Sequence, residues 1–170
     1  MNEDNGDNRE YREIFEQAQK ALADKDLDLA RTLFTRCTEM KPDDAEALNK
    51  LGVVHAHIGA YDEAHFMFSK VITMAPGFAP AYSNMGNLHF QRGEWAKAEE
   101  YYRKAIEVDP EYAVAYNNLA AVCKKTGKID QSVRYIKKAY QLGYRPPFDP
   151  QDSERLGCLA WLTGIVRKRK

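Results

Sequence analysis

The sequence is poor in several things that would point to a defined chemistry. Of its 170 residues only three are cysteines, Cys37, Cys123 and Cys158, set 86 and 35 positions apart. That spacing gives neither a disulfide framework nor a CxxC metal knuckle, and it implies a reducing, cytoplasmic setting. Net charge is also missing: 25 Lys and Arg balance 25 Asp and Glu, so no global field draws the chain to nucleic acid or to an anionic membrane. The longest apolar run, near the C-terminus, is about 11 residues. As a helix it spans roughly 16 Å against about 30 Å of bilayer core, which excludes an integral membrane span. The opening MNEDNGDNRE has no apolar stretch for a secretory signal. Nucleotide-loop, nucleophile-elbow and zinc-protease motifs (GxxxxGK[ST], GxSxG, HExxH) are absent from the sequence.

What the sequence does have is a period. Apolar residues make up 44% of it, enough for a core, and they recur every 34 positions. Segments starting at Ala45, Ala79 and Ala113 align with one another, and a more divergent copy starts at Tyr11. Four units follow: 11–44, 45–78, 79–112 and 113–146. Within each, apolar residues at helical spacing fall in two blocks, as in Leu48, Leu51 and His55 and then Ala64, Phe68 and Val71. Gly59, Gly93 and Gly127 break the blocks, and Pro42, Pro76 and Pro110 close the second. The fourth unit has Tyr144 where proline is due, with Pro146 and Pro147 just beyond, so its ending is read as shifted. The pattern predicts helix, turn, helix, repeated four times. A single hairpin cannot bury its own apolar faces, so the units must stack.

The landmarks Gly52 and Gly86, Ala30, Ala64 and Ala98, Phe34, Phe68 and Tyr102, and Pro42, Pro76 and Pro110 together resemble the tetratricopeptide repeat. Ala18 and Ala120 depart from the first-helix glycine, and Ser132 from the small residue of the second helix. The resemblance implies an all-α, right-handed solenoid of four helix-turn-helix units whose first helices line a concave groove.

Two end segments lie outside the repeats. Residues 1–10, with four acids, three asparagines and a glycine, are expected to form a disordered leader. Residues 147–170 are expected to form a turn, a capping helix started by Asp152 or Ser153, and a basic tail. The helix is unusually apolar for a cap. Leu156, Leu159, Trp161, Leu162 and Ile165 leave three readings open: a buried cap, a surface for self-association into a homo-oligomer or for a partner, or a peripheral membrane contact.

The few reactive side chains are poorly placed for catalysis or metal binding. His55 and His57, two apart on a helix, point in nearly opposite directions. His55, His89 and Cys123 share one position of successive units, yet stacked units separate them by about 10 Å, too far to share one ion. They read as packing residues, His65 as a surface residue, and Cys37 and Cys123 as small hydrophobes. No enzyme, metal or cofactor is expected.

The groove carries more signal. Positions 2, 5, 6, 9, 12 and 13 of each first helix are expected to face outward. In the second unit these include Asn49 and Lys50, and in the third Ser83, Asn84, Asn87 and Gln91. The fourth unit adds Asn117, Asn118, Lys124 and Lys125. Asparagine is a mediocre helix former, so five near this face call for a reason. Asn84 and Asn118 recur at position 6, roughly 10 Å apart, and an extended peptide advances about 10 Å in three residues. An amide offers both donors and an acceptor, so these residues suit either a ladder for peptide backbone or plain solvation of a helix face. The stretch AYSNMGN, 81–87, is similar to repeats of O-linked N-acetylglucosamine transferase, and this resemblance implies backbone binding at Asn84 and Asn118. Lys50 and Glu16 hold the equivalent positions in units two and one, leaving two rungs. The pattern of repeats that clamp a chaperone C-terminal carboxylate is not matched: Phe15 and Gln19, or Asn49 and Val53, stand where Lys and Asn are needed. The expected function is a non-catalytic adaptor for an extended peptide or partner helix, with no nucleic-acid partner. The alternative is an assembly protein working through the C-terminal helix, at a membrane surface in one version. Neutrality hides a gradient: residues 1–110 hold 13 bases and 20 acids, residues 111–170 hold 12 and 5.

Overall fold

The computed structural model describes residues 3–145, with side chains described from Asp7 onward. Among the described residues there are eight helices and no strand: α1 Glu3–Ala23, α2 Leu27–Met40, α3 Ala45–His57, α4 Tyr61–Met74, α5 Ala79–Gln91, α6 Trp95–Val108, α7 Ala113–Lys125 and α8 Ile129–Gln141. They stack as four consecutive hairpins, each packed on the next, as a right-handed solenoid. The expected capping helix lies outside the described residues.

Local chemistry sets the ends of these helices. Asp26 caps α2 by accepting from the Leu29 N–H, and Asp44 caps α3 by accepting from the Glu46 and Ala47 N–H groups. Helices α2, α4 and α6 stop two residues before Pro42, Pro76 and Pro110, because proline disfavours helical geometry at the residue before it. The turns after α3, α5 and α7 share one motif, in which Gly59, Gly93 and Gly127 take positive φ. The next residue's N–H then reaches back five positions, as Ala60 does to the His55 carbonyl at 2.9 Å. Helix α8 ends the same way on Gly143 (φ 86°), with Tyr144 N–H on the Ala139 carbonyl at 3.0 Å, rather than on a shifted proline. In the first hairpin Lys25 takes this left-handed role (φ 63°), a conformation that costs a residue with a Cβ. Lys25→Gly is therefore expected to raise stability by about 0.5–1 kcal/mol, read as a higher denaturant midpoint at unchanged slope.

Inside the second and third hairpins a small residue meets a large one. A Cβ on Gly52 would lie 2.6 Å from the Phe68 ring, and one on Gly86 2.6 Å from the Tyr102 ring. Between hairpins, Phe34 clusters with Leu51 and Val54, Phe68 with Met85 and Leu88, and Tyr102 with Leu119 and Val122. Each of these nine residues is 3% exposed or less. The corresponding places on α1 hold Glu13, Gln17 and Lys20, all exposed, so the first helix turns a polar face outward.

The first ten residues depart from expectation. Helix α1 begins at Glu3 and not near Tyr11, so residues 3–10 are helical rather than a disordered leader. Their acids suit a helix N-terminus. Their side chains are also tied to α2 and its end: Glu10 to Arg36, and Asn8 to Lys41 at 2.7 Å. Next in the chain, the Tyr11 hydroxyl donates to Asp44 at 2.6 Å. These partners sit 26 to 33 residues away, where a composition argument cannot see them.

Candidate functional site

Successive first helices present their amides to one another. The Asn84 side-chain N–H donates to Asn49 Oδ1 at 2.9 Å, and that of Asn118 donates to Ser83 Oγ at 3.2 Å and to Asn87 Oδ1 at 3.1 Å. The Tyr102 hydroxyl, from α6, donates to the same Asn87 oxygen at 2.7 Å. A continuous polar seam thus crosses α3, α5 and α7. Its logic is positional: residue 6 of one unit reaches residue 5 of the unit before.

This seam corrects part of the sequence reading. Asn49 and Ser83 are 5% and 1% exposed; they are buried between neighbouring first helices and do not face outward. Asn84, Asn87, Asn117, Asn118 and Lys50 are half-buried, while Gln91, Lys124 and Lys125 are exposed. Both N–H groups of the Asn118 amide and one of the two on Asn84 are already engaged within the chain. The Asn118 carbonyl oxygen has no partner among the described residues, and that of Asn84 accepts only a long 3.5 Å contact from Asn87. What the amides of Asn84 and Asn118 chiefly offer a ligand is acceptors, beside the donors of Lys50, Gln91, Lys124 and Lys125. Sequence reasoning missed the Tyr102 hydroxyl, although a signal existed: Tyr102 stands where units one and two have Phe34 and Phe68. The apolar set Leu156, Leu159, Trp161, Leu162 and Ile165 lies outside the described residues.

Several titratable side chains of the repeats are used in packing and pairing. Cys37 and Cys123 are free and fully buried, and burial pushes both thiols up from their ordinary pKa. Tyr102 is likewise pushed up by burial. His89 Nδ1 meets Glu94 Oε2 at 2.8 Å, and its ring stacks on Tyr101 at 5.2 Å. Glu94 in turn takes Lys97 at 3.0 Å; hydrogen bonds from Lys97 and His89 hold its carboxyl below the usual range. One unit earlier Ala60 replaces Glu94, and the equivalent His55 Nδ1 is buried with no hydrogen-bond partner among the described residues. Among the described residues no group of three or more His, Cys, Asp or Glu is placed to hold a metal ion.

Burial lowers the His55 pKa, with Glu63 opposing the shift and Arg31 adding to it. The fold therefore favours neutral imidazole. Its contribution to stability is present above the ordinary histidine pKa of about 6.5 and is lost as the pH falls below it, where only the unfolded chain readily takes the proton. His55→Phe is expected to shrink the drop in urea midpoint between about pH 7.5 and about pH 5.5 relative to wild type. An equal drop in both proteins would show that His55 takes no part.

Tetratricopeptide repeat profiles match residues 15–67, 79–112 and 101–134. The chain belongs to the tetratricopeptide repeat family. The family is one of protein-interaction modules, and its solved members share this architecture. MamA is 23% identical, with 87% of this chain and 85% of that chain covered and a TM-score of 0.59. PilF of Pseudomonas aeruginosa is 18% identical over 94% and 72%, with a TM-score of 0.73. A mutant O-GlcNAc transferase of Thermobaculum terrenum is 21% identical, with 79% of this chain but 26% of that chain covered, at a TM-score of 0.70. At these identities the likeness is one of fold. No curated protein matches the sequence. Among the described residues no helix is long and apolar enough to cross a membrane.

Proposed function

We propose that this tetratricopeptide repeat chain is a non-catalytic, cytoplasmic adaptor that holds an extended peptide along its first helices, over units 45–78, 79–112 and 113–146. The observation that carries this reading is the polar seam. Hydrogen bonds to Asn49 from Asn84, and to Ser83 and Asn87 from Asn118, restrain the two amides with their carbonyl oxygens left to receive peptide N–H groups. Pre-ordered acceptors lose little entropy on binding. Half-buried Val53, Ala56 and Phe90 lie on the same helices and supply apolar contacts. The engagement of His89 and the burial of Cys37 and Cys123 support a non-catalytic role.

The test uses a peptide selected from a random library on the wild-type protein, then titrated against an Asn84→Ala, Asn118→Ala double variant. Two lost hydrogen bonds at about 1 kcal/mol each predict affinity weakened by tenfold or more. Because the same amides bridge the units, a stability loss of about 1–2 kcal/mol accompanies it, so the titration is run well below the unfolding midpoint. Unchanged affinity would sink the amide reading.

A further inference from the structure

The outer faces of the second helices are polar except in one place. Position 22 of the unit is Thr32 on α2, Glu100 on α6 and Arg134 on α8, but on α4 it is Phe66. That residue is 63% exposed, more than any other large hydrophobic among the described residues. Beside it lies a shallow depression of about 480 Å³ between Phe66, Ser69, Lys70, Thr73 and Met74. A phenyl ring in water gains by being covered.

The charges on either side identify the cover. Asp62 stands four residues before Phe66 and Lys70 four after, all on one stripe of the helix. Next to that stripe, Glu63 stands three before and Ser69 three after. Reversing α4 end for end about Phe66 therefore sets a carboxylate opposite each cation and an acceptor opposite each hydroxyl. A surface complementary to its own reversed copy meets the requirement of a two-fold interface, in which residue i touches j and j touches i. These charges are free to serve it. The Asp62 side chain is 99% exposed and meets Arg92 only at 3.5 Å, an ion pair of little energetic weight. Lys70 Nζ donates to the Pro42 carbonyl at 3.3 Å and has no carboxylate partner among the described residues. On α2 the same spacing has Thr32 at its centre, and its cation, Arg36, is paired with Glu10.

We infer that a second copy of this chain covers Phe66, about a two-fold axis that crosses α4 at Phe66 and lays the two α4 helices antiparallel. Asp62 meets the partner's Lys70, and Glu63 accepts from the partner's Ser69 hydroxyl. Helical side chains lean toward the N-terminus. In an antiparallel pair each ring therefore lies on the C-terminal side of the other, over the depression that runs from Phe66 to Met74. The same axis sets α2 and α6 against their own copies, where the cations are already paired within the chain: Arg36 with Glu10, Arg103 with Glu99 at 2.8 Å and Lys104 with Glu100 at 3.1 Å. The amide seam belongs to the first helices, so the pairing does not depend on the peptide reading. A contact of one helix per copy is at the small end of specific interfaces, and a dissociation constant on the order of 100 µM is expected.

Sedimentation equilibrium of the full chain at low salt tests this, from about 5 to about 500 µM, a range that brackets the expected constant. The wild-type mass is expected to rise from monomer toward dimer, while Phe66→Ser stays at monomer mass throughout. An unchanged denaturant midpoint at the lowest concentration, where wild type is itself monomeric, shows that the variant is folded. Charge reads the register. Asp62→Lys and Lys70→Asp each set like charges opposite one another and are expected to weaken self-association at least about tenfold. Their equimolar mixture pairs lysines with aspartates and is expected to recover association to within about threefold of wild type. A wild-type chain that stays monomeric across the range leaves the ring to a different partner and overturns the assignment. So does self-association that survives Phe66→Ser, charge variants that associate like wild type, or a mixture that fails to associate.

Discussion

Phe68→Ala is expected to cost about 3–5 kcal/mol of stability, the range for removing a buried phenyl ring. Phe68 is 1% exposed and clusters with Ala64, Met85 and Leu88, so the deletion opens a cavity within hairpin two and at its boundary with hairpin three. In an array held by nearest-neighbour interfaces, weakening one boundary also uncouples the two halves. The denaturant transition should therefore move to lower midpoint and lose slope, because the halves no longer unfold together. Phe66→Ala is the control: its ring is 63% exposed on the same helix, and a change within about 0.5 kcal/mol is expected. Equal effects from the two substitutions would contradict the packing described for α4.

Gly86→Ala is the second large effect, expected to cost about 1–3 kcal/mol through overpacking. The added methyl would sit 2.6 and 2.7 Å from two carbons of the Tyr102 ring. The ring is poorly able to retreat, since its hydroxyl is held by Asn87, which also receives Asn118. The repair is written in the fourth hairpin, where Ala120 and Ile136 replace the glycine and aromatic pair. Tyr102→Ile in the Gly86→Ala background should therefore cost less than in wild type, giving a favourable coupling in a double-mutant cycle. Additive losses would mean that the ring and glycine do not constrain each other.

Most of the fold was legible because its determinants are local. A period of 34, glycine turns and closing prolines each act within a few residues, and the hairpins follow from them. Lys25 escaped notice because a left-handed lysine has no sequence mark. The helical start at Glu3 was missed since its anchors, Arg36 and Lys41, come from the next helix. The candidate site was half legible. Asn84 and Asn118 stood out by residue type, but their partners lie 31 to 35 positions earlier. A search at the repeat period of 34 aligns equivalent positions and passes over the offset pairing of residue 6 with residue 5. Burial of Asn49 and Ser83 follows from that offset.

The polar face of α1 has a consequence for how such a chain can lengthen by internal duplication. A copied unit inserted after the second or third hairpin would meet the small and large slots it already fits, on both sides. One inserted ahead of Tyr11 would press an apolar second helix onto Glu13, Gln17 and Lys20, and would need three further substitutions before it was tolerated. A new unit is thus accommodated more readily in the interior of the array than ahead of Tyr11.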